Sequence, residues 1–206
     1  MISKIKGGDY LKRLDNIKQW QEKDVVKEES VSQHSYKVTV FARILLEDTF
    51  GKQQTVEILN FKLGVTTQAI FHDWDESLIR RDLSHDIKYN NFNGTAVREV
   101  LRKLTNHLAE NEFSIADALG TETPASTMLI ECIKEPDVDI KLFVKLCDWL
   151  AASFYINREL SLGNFNFTEV KVYCDKNIKS VSIALIEVLK LRFADDKLNF
   201  KSLENL

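Results

Sequence analysis

The sequence is poor in the residues that interrupt helices, with only two prolines and seven glycines among its 206 residues. Apolar residues recur at spacings of three and four instead of alternating over long stretches. We therefore predict an all-α fold. Its helices are expected, to within roughly 2–4 residues at each end, at about 9–22, 32–48, 55–73, 94–111, 124–134, 137–160 and 167–194.

Cysteine is also scarce. The three that occur, Cys132, Cys147 and Cys174, are odd in number and widely spaced. The sequence contains no close cysteine pair of the kind that zinc sites use. Because free cysteine usually behaves as a small buried hydrophobe, we expect three reduced and mostly buried thiols.

Positive net charge and long apolar runs are missing as well. The net charge is −3 and the pI is near 5.9, so the chain has no global positive field with which to hold a phosphate backbone. Nucleic acid is therefore excluded as an expected partner. Since no run of about 18 apolar residues occurs and residues 1–10 lack the apolar block of a signal peptide, we expect no membrane association and a cytoplasmic location.

Length and composition are those of an ordinary globular protein. A single core can grow to about 250–300 residues before chains divide into domains, and hydrophobic residues make up 44% of this chain. We expect a single domain over 1–206, with a core at about 10–160 and a C-terminal helical extension at about 167–206.

The first candidate site residue is His34, which lies on the apolar face of a predicted helix. The residues four, seven, eight and eleven positions later share that face: Val38, Phe41, Ala42 and Leu45. This spacing directs the histidine inward. A lone inward histidine is more often a hydrogen-bonded core residue than a ligand, so a functional interpretation requires partners.

Such partners occur in the string His72-Asp73-Trp74-Asp75-Glu76 at the end of an apolar predicted helix. Neighbouring helical residues differ by about 100° in direction, so His72 and Asp73 reach one ion only if it lies above the flank between them. Glu76 follows one turn further along that flank. We predict a pair of metal ligands and an acid–base group facing one cleft.

Asp148 is the fourth candidate ligand. Its helical neighbours are small and apolar: Val144, Ala151 and Ala152. A carboxylate on such a face is costly unless it is paired or bound to metal, and the alternative to metal is a salt bridge with Arg158 or Lys145. Two histidines and two carboxylates suit one divalent ion such as cobalt, manganese, iron, zinc or magnesium.

The order His34, then His72-Asp73, then Asp148 resembles the signature of the HD-domain phosphohydrolases, over about residues 10–160. A second pair, His85-Asp86, lacks the preceding apolar helix. Further matches resemble the bacterial 5'-deoxynucleotidases of that family: Trp20, the string Val31-Ser32-Gln33-His34-Ser35, and Asp82 followed by Ile87-Lys88-Tyr89.

This resemblance implies a single helical HD domain that uses one divalent metal ion to hydrolyse the 5'-phosphate of deoxyribonucleoside monophosphates. It implies that Trp20 packs on the sugar and that Asp82 binds the sugar 3'-hydroxyl. Glu76 would manage the protons of the reaction. Relatives are often dimers, so the resemblance also allows a homodimer.

One departure concerns the phosphate contact. Gln19 stands where those enzymes carry an arginine before the tryptophan, and Arg80-Arg81 stand where they have a Thr-Gly turn. Because a phosphate dianion near several carboxylates requires positive charge, we expect compensation from this loop. Arg81 is the first choice because it adjoins Asp82, and Lys88 lies slightly further along.

Several alternatives stay open from the sequence. The substrate could be a deoxynucleoside triphosphate, hydrolysed to release inorganic triphosphate, or the chain could be a non-catalytic nucleotide-binding module with the HD fold. A two-metal cyclic-nucleotide phosphodiesterase is less favoured, since only His85 and His107 remain as extra nitrogen ligands. Trp20 could simply be a core residue, and Arg80-Arg81 a solvated turn.

Overall fold

The computed structural model describes residues 14–20, 23–73 and 136–206. The helices within them are α1 (Val31–Phe50), α2 (Val56–Phe71), α3 (Val138–Ser161), α4 (Thr168–Arg192) and α5 (Lys201–Glu204), with a 3-10 turn at Phe165–Phe167. In these residues the only β pairing is the isolated bridge between Lys18 and Ser30, which confirms the predicted all-α class. The predicted helices at 94–111 and 124–134 lie outside the described residues.

No helix in the described part of the chain is long and apolar enough to cross a membrane.

The predicted helix at 9–22 is wrong at residues 16–20, and residues 9–13 and 21–22 lie outside the described part of the chain. Only residues 14–15 of the described stretch are helical. Beyond them the Val31 N–H donates to the Ile17 carbonyl at 2.9 Å, and the Gln19 N–H donates to the Glu29 carbonyl at 2.7 Å. These bonds join positions that are distant in sequence, so they replace helical bonds that the local apolar spacing had predicted.

The described residues fall into two compact units. Unit 1 contains residues 14–20, 23–24, 28–33 and 73, and unit 2 contains residues 25–27, 34–72 and 136–206. Helices α2 to α5 and most of α1 therefore belong to unit 2. The single domain expected from the chain length stays a prediction.

Four phenylalanines form an aromatic cluster in the core of unit 2. Phe61 of α2 lies 5.4 Å from Phe50 of α1, 5.9 Å from Phe143 of α3 and 5.4 Å from Phe193, which follows α4, all between ring centroids. The pairs with Phe143 and Phe193 are edge-to-face, an arrangement that is favourable beyond the area it buries, and the pair with Phe50 is tilted at 47°. The cluster therefore packs together α1 and α3, which contain His34 and Asp148, and α2, which ends directly before His72.

A buried carboxylate anchors the loop ahead of α1. Glu159 of α3 is 0% exposed and accepts hydrogen bonds from the N–H groups of Val26 at 2.7 Å and Lys27 at 3.0 Å, and from Asn164 Nδ2 at 2.9 Å. Burial acts to raise the pKa of Glu159, but these bonds and the nearby Arg158 charge outweigh it and leave that pKa below its ordinary value. The carboxylate is therefore ionised and satisfied inside the unit.

The C-terminal segment packs onto the same unit. Tyr173 of α4 lies edge-to-face on Trp149 of α3 at 5.7 Å. After α4 the chain returns to the end of α1, where the Asn199 N–H donates to the Thr49 carbonyl at 2.9 Å. These contacts attach the residues after 167 to α1 and α3, while the predicted division into a core and a C-terminal extension stays a prediction.

Two of the three cysteines lie in the described residues. Cys147 and Cys174 are both free and buried, which confirms the prediction for them. Burial raises the pKa of both thiols, that of Cys174 to about 12, so neither is reactive at neutral pH. Cys132 lies outside the described residues.

Candidate metal centre

Three of the four predicted metal ligands come together in unit 2. His34 lies in the first turn of α1, His72 directly follows α2, and Asp148 lies near the middle of α3. Each offers a ligand atom, and these atoms lie within 4.8 Å of one another. Two donors of one ion at bond lengths of about 2.0–2.2 Å are at most about 4.4 Å apart, so the set is close to the size that one ion requires.

Two of these three residues, His34 and Asp148, are in direct contact. His34 Nε2 lies 2.9 Å from Asp148 Oδ1, and the ring centroids of His34 and His72 are 5.6 Å apart at an interplanar angle of 49°. Neighbouring ligands around one ion lie about 3.0 Å apart at octahedral angles and about 3.4 Å apart at tetrahedral angles when each bond is about 2.1 Å. The spacing of Nε2 and Oδ1 therefore suits a shared ion.

Helix α1 positions His34 as its apolar pattern predicted. His34 is 1% exposed, and Val38, Ala42 and Leu45 on the same face are also buried. Phe41 is half-buried. The stripe thus faces the core, and the histidine shares that environment.

The end of α2 determines which ring nitrogen of His72 donates a hydrogen bond to the backbone. This helix begins with Thr55, whose hydroxyl accepts from the Ile58 N–H at 3.3 Å, and His72 is the residue at its C-terminal cap. His72 Nδ1 lies 2.9 Å from the Ala69 carbonyl oxygen. Because a carbonyl can only accept, Nδ1 carries a proton, which leaves Nε2 as the nitrogen available to a metal ion, the arrangement usual for a metal-binding histidine.

Asp148 is held as an anion by two neighbours. Its Oδ1 faces His34, and its Oδ2 lies 2.7 Å from Lys145 Nζ. Burial acts to raise the pKa of Asp148, but the Lys145 ammonium, the hydrogen bond to His34 and the charges of His34 and His72 lower that pKa well below its usual range. An ionised carboxylate is the form that binds a cation.

Of the two salt-bridge partners that the sequence offered for Asp148, the structure shows contact with Lys145. Lys145 does contact the carboxylate, whereas Arg158 Nη2 donates to the Lys27 carbonyl at 3.3 Å. The lysine contacts Oδ2 while Oδ1 contacts His34. Asp148 therefore has one oxygen on the histidine side and a cation on the other.

The fourth predicted ligand, Asp73, is the residue directly after His72 and is 5% exposed. It falls in unit 1 and not in unit 2, so its role as a ligand stays a prediction. Glu76, Arg81, Asp82 and Lys88 lie outside the described residues, as do Arg80, His85 and His107.

Trp20 and Gln19 lie in unit 1 and are both half-buried. Trp20 has a φ of 62°, a left-handed backbone that is rare for a bulky residue. The Lys23 N–H donates to the Trp20 carbonyl at 2.9 Å, and the Gln19 N–H is bonded to Glu29. Hydrogen bonds on both sides therefore hold this backbone conformation.

Lys145 is a site residue to which the sequence analysis gave no function beyond that of a counter-ion. Its position three residues before Asp148 on one helix places both side chains on the same face. That spacing was the available signal, but an i, i+3 pair usually indicates a structural ion pair.

Taken as a donor set, two imidazoles and at least one carboxylate suit a divalent first-row transition metal. The proton on His72 Nδ1 and the ionised Asp148 both fit that use.

Comparisons with known proteins identify the family and the fold. The family model described as 5'-deoxynucleotidase YfbR-like matches residues 8–196. A 5'-deoxynucleotidase of Photobacterium profundum is 25% identical over 186 residues, which cover 90% of this chain and 91% of that protein. The crystal structure of an HD-domain phosphohydrolase from Listeria innocua matches the fold with a TM-score of 0.63 at 21% identity, covering 90% of this chain and 84% of the other.

Proposed function

This chain belongs to the YfbR-like 5'-deoxynucleotidase family, and on that premise we propose that it removes the 5'-phosphate from deoxyribonucleoside monophosphates by metal-dependent hydrolysis. The family and the HD fold confirm the resemblance found in the sequence and identify a nucleotide phosphohydrolase. The dependence on a metal ion and the choice of a monophosphate substrate are what we propose beyond that. The observation that supports the metal most directly is the meeting of ligand atoms from His34, His72 and Asp148 within 4.8 Å.

His34, His72, Asp73 and Asp148 would hold one divalent ion. Such an ion lowers the pKa of water from 15.7 towards about 7 and neutralises phosphate charge. The protein contributes prepared donors: the low pKa of Asp148 keeps its carboxylate ionised, and the Ala69 carbonyl keeps the proton of His72 on Nδ1. The Asp148 carboxylate therefore does not have to be deprotonated when the ion binds.

Glu76 is the proposed acid–base group. Water attacks phosphorus, the bond between phosphorus and the 5'-oxygen breaks, and that oxygen leaves with a proton as the nucleoside alcohol. Glu76 would accept the proton from the attacking water and return one to the leaving oxygen. No covalent intermediate on the protein is required.

Trp20 and Asp82 are the proposed sugar contacts. The left-handed φ of Trp20 costs on the order of 1–3 kcal/mol, and such strain concentrates at binding sites. Its hydrogen-bonded flanks hold it there, which supports a fixed aromatic surface for the deoxyribose. The name of the Photobacterium profundum relative, a 5'-deoxynucleotidase, supports the same substrate class.

A second candidate is hydrolysis of deoxynucleoside triphosphates. Gln19 carries no charge, and the adjacent arginines Arg80 and Arg81 could serve a longer phosphate chain. The non-catalytic module is not supported, because the chain belongs to a family of hydrolases.

Product analysis separates the two substrates. Purified protein is incubated with deoxyribonucleoside mono- and triphosphates, and with ribonucleotides, in cobalt, manganese or magnesium and in a chelator. We expect single phosphate from deoxyribonucleoside monophosphates only, with activity lost in the chelator and restored by metal. Release of inorganic triphosphate would favour the second candidate, and full activity in the chelator would contradict the metal-dependent mechanism.

A further inference from the structure

The Lys145 ammonium lies against the candidate metal centre and has no place in the mechanism above. Its Nζ is 2.7 Å from Asp148 Oδ2 and 4.8 Å from the centre of the Trp149 ring. Its side chain is 29% exposed, so it lies at the boundary between the cluster and solvent. It is therefore placed to meet a ligand that enters from solvent.

Once a phosphate is bound, the negative charge at the cluster would exceed the charge of one divalent ion, so a further cation is needed. Asp148 and Asp73 would bring two negative charges to the ion, so a divalent cation balances the carboxylates alone. A phosphate monoester then adds up to two further negative charges. Charge-assisted hydrogen bonds from Lys or Arg are the usual way in which proteins hold such groups.

The geometry also allows one ammonium to serve both partners. Asp148 has His34 on Oδ1 and Lys145 on Oδ2, so the lysine lies beside the carboxylate and not between it and His34. A lysine ammonium has three donors on a flexible stem. One donor can stay on Oδ2 while another reaches a phosphate oxygen that approaches the histidine side.

We propose that Lys145 binds the phosphate group of the substrate, acting together with the ion held by the His34, His72 and Asp148 cluster. The inference rests on the proposed function and adds to it the residue that selects a phosphorylated ligand over the corresponding nucleoside. Trp149 favours this role because the face of its ring attracts the ammonium and limits the directions in which it can turn.

A purely structural ion pair is the competing explanation, and it predicts a different result. A counter-ion of Asp148 would affect stability or metal binding, but it would not distinguish a ligand with phosphate from one without it. The test is therefore direct binding and not turnover. Inorganic phosphate and a deoxyribonucleoside serve as the two probes.

The experiment compares wild type with Lys145→Met, which removes the charge, and Lys145→Arg, which keeps it. Lys171→Met is the matched control, because Lys171 forms an i, i+4 ion pair with Asp175 on α4. Each protein is loaded with cobalt, its metal content is measured, and binding is followed by calorimetry. If Lys145→Met does not fold, Lys145→Gln replaces it.

We expect Lys145→Met to bind inorganic phosphate at least about tenfold more weakly, with unchanged metal content and unchanged affinity for the deoxyribonucleoside. Lys145→Arg should stay within about threefold of wild type and Lys171→Met within about twofold. Wild-type phosphate affinity in metal-loaded Lys145→Met would overturn the inference, as would loss of metal from that variant or no phosphate binding by wild type.

Nucleotide hydrolysis by wild type, measured in parallel, separates this inference from the proposed function. If wild type hydrolyses deoxyribonucleoside monophosphates and Lys145→Met binds phosphate normally, only the role of Lys145 is wrong. If phosphate binding depends on Lys145 but no nucleotide is hydrolysed, only the proposed reaction is wrong.

Discussion

His34 Nε2 lies 2.9 Å from Asp148 Oδ1, although the two residues are 114 positions apart in the chain. The contact joins the first turn of α1 to the middle of α3, so helix packing holds it and not local sequence. The Phe50, Phe61 and Phe143 cluster packs the same helices together. The contact between these two candidate ligands therefore depends on the packing of the core helices.

Phe61 should be essential to the stability of this arrangement. It is fully buried among Phe50, Phe143 and Phe193, so Phe61→Ala should lower the free energy of unfolding by about 3–5 kcal/mol. Urea unfolding measures the change. Leu63→Ala on the same helix is the control, because Leu63 is 39% exposed, and a loss of equal size there would show that the cluster has no special weight.

Glu159 should make stability depend on pH. Its pKa is lowered in the folded state, so its contribution is fully present above the ordinary glutamate pKa of about 4.3 and is lost as pH falls through the lower folded-state value. Glu159→Gln should cost about 1.5–3 kcal/mol near neutral pH, because its amide cannot accept as the carboxylate does.

This cost should shrink when unfolding is measured at about pH 3, below the ordinary glutamate pKa, where wild type loses part of the same stabilisation. Glu187→Gln, at an exposed position on α4, should show no such trend. A cost for Glu159→Gln that is the same at both pH values would contradict an ionised carboxylate at this position.

Glu76→Ala should keep the metal and the fold but turn over at least about a hundredfold more slowly, as expected when a general acid or base is lost. Steady-state kinetics at saturating substrate measure the change in kcat. Wild-type turnover in this variant would make Glu76 a surface carboxylate and would require another proton carrier.

Arg81→Ala should lower kcat/KM by a factor that corresponds to about 1.5–3 kcal/mol, the range of a charge-assisted hydrogen bond to phosphate. Arg80→Ala and Lys88→Ala identify whether a neighbour supplies the charge instead. If all three variants behave like wild type on every accepted nucleotide, the loop that contains them does not contact phosphate.

The helices that carry the site could be predicted closely from the sequence. The predicted 32–48 and 137–160 became Val31–Phe50 and Val138–Ser161, because a buried face imposes a regular apolar spacing. The same logic selected His34 and Asp148, whose polar groups interrupt such faces. A polar group on such an apolar face is costly without a partner.

What the sequence could not predict depends on contacts between distant residues. The pairing of Lys18 with Ser30 ends the first predicted helix early, and no local spacing reports it. The proton position on His72 depends on the Ala69 carbonyl, and it follows only from the way α2 ends. Lys145 was visible as a neighbour of Asp148, but only the distance to Oδ2 places its charge at the cluster.

The central claim is that His34, His72, Asp73 and Asp148 bind one divalent ion on which hydrolysis depends. The most direct measurement is elemental analysis of purified wild type and Asp148→Ala, with Asp175→Ala as the control at an exposed ion pair. We predict one divalent ion per chain in wild type and in the control, and loss of metal and activity together in Asp148→Ala. Full metal occupancy in Asp148→Ala would contradict the assignment.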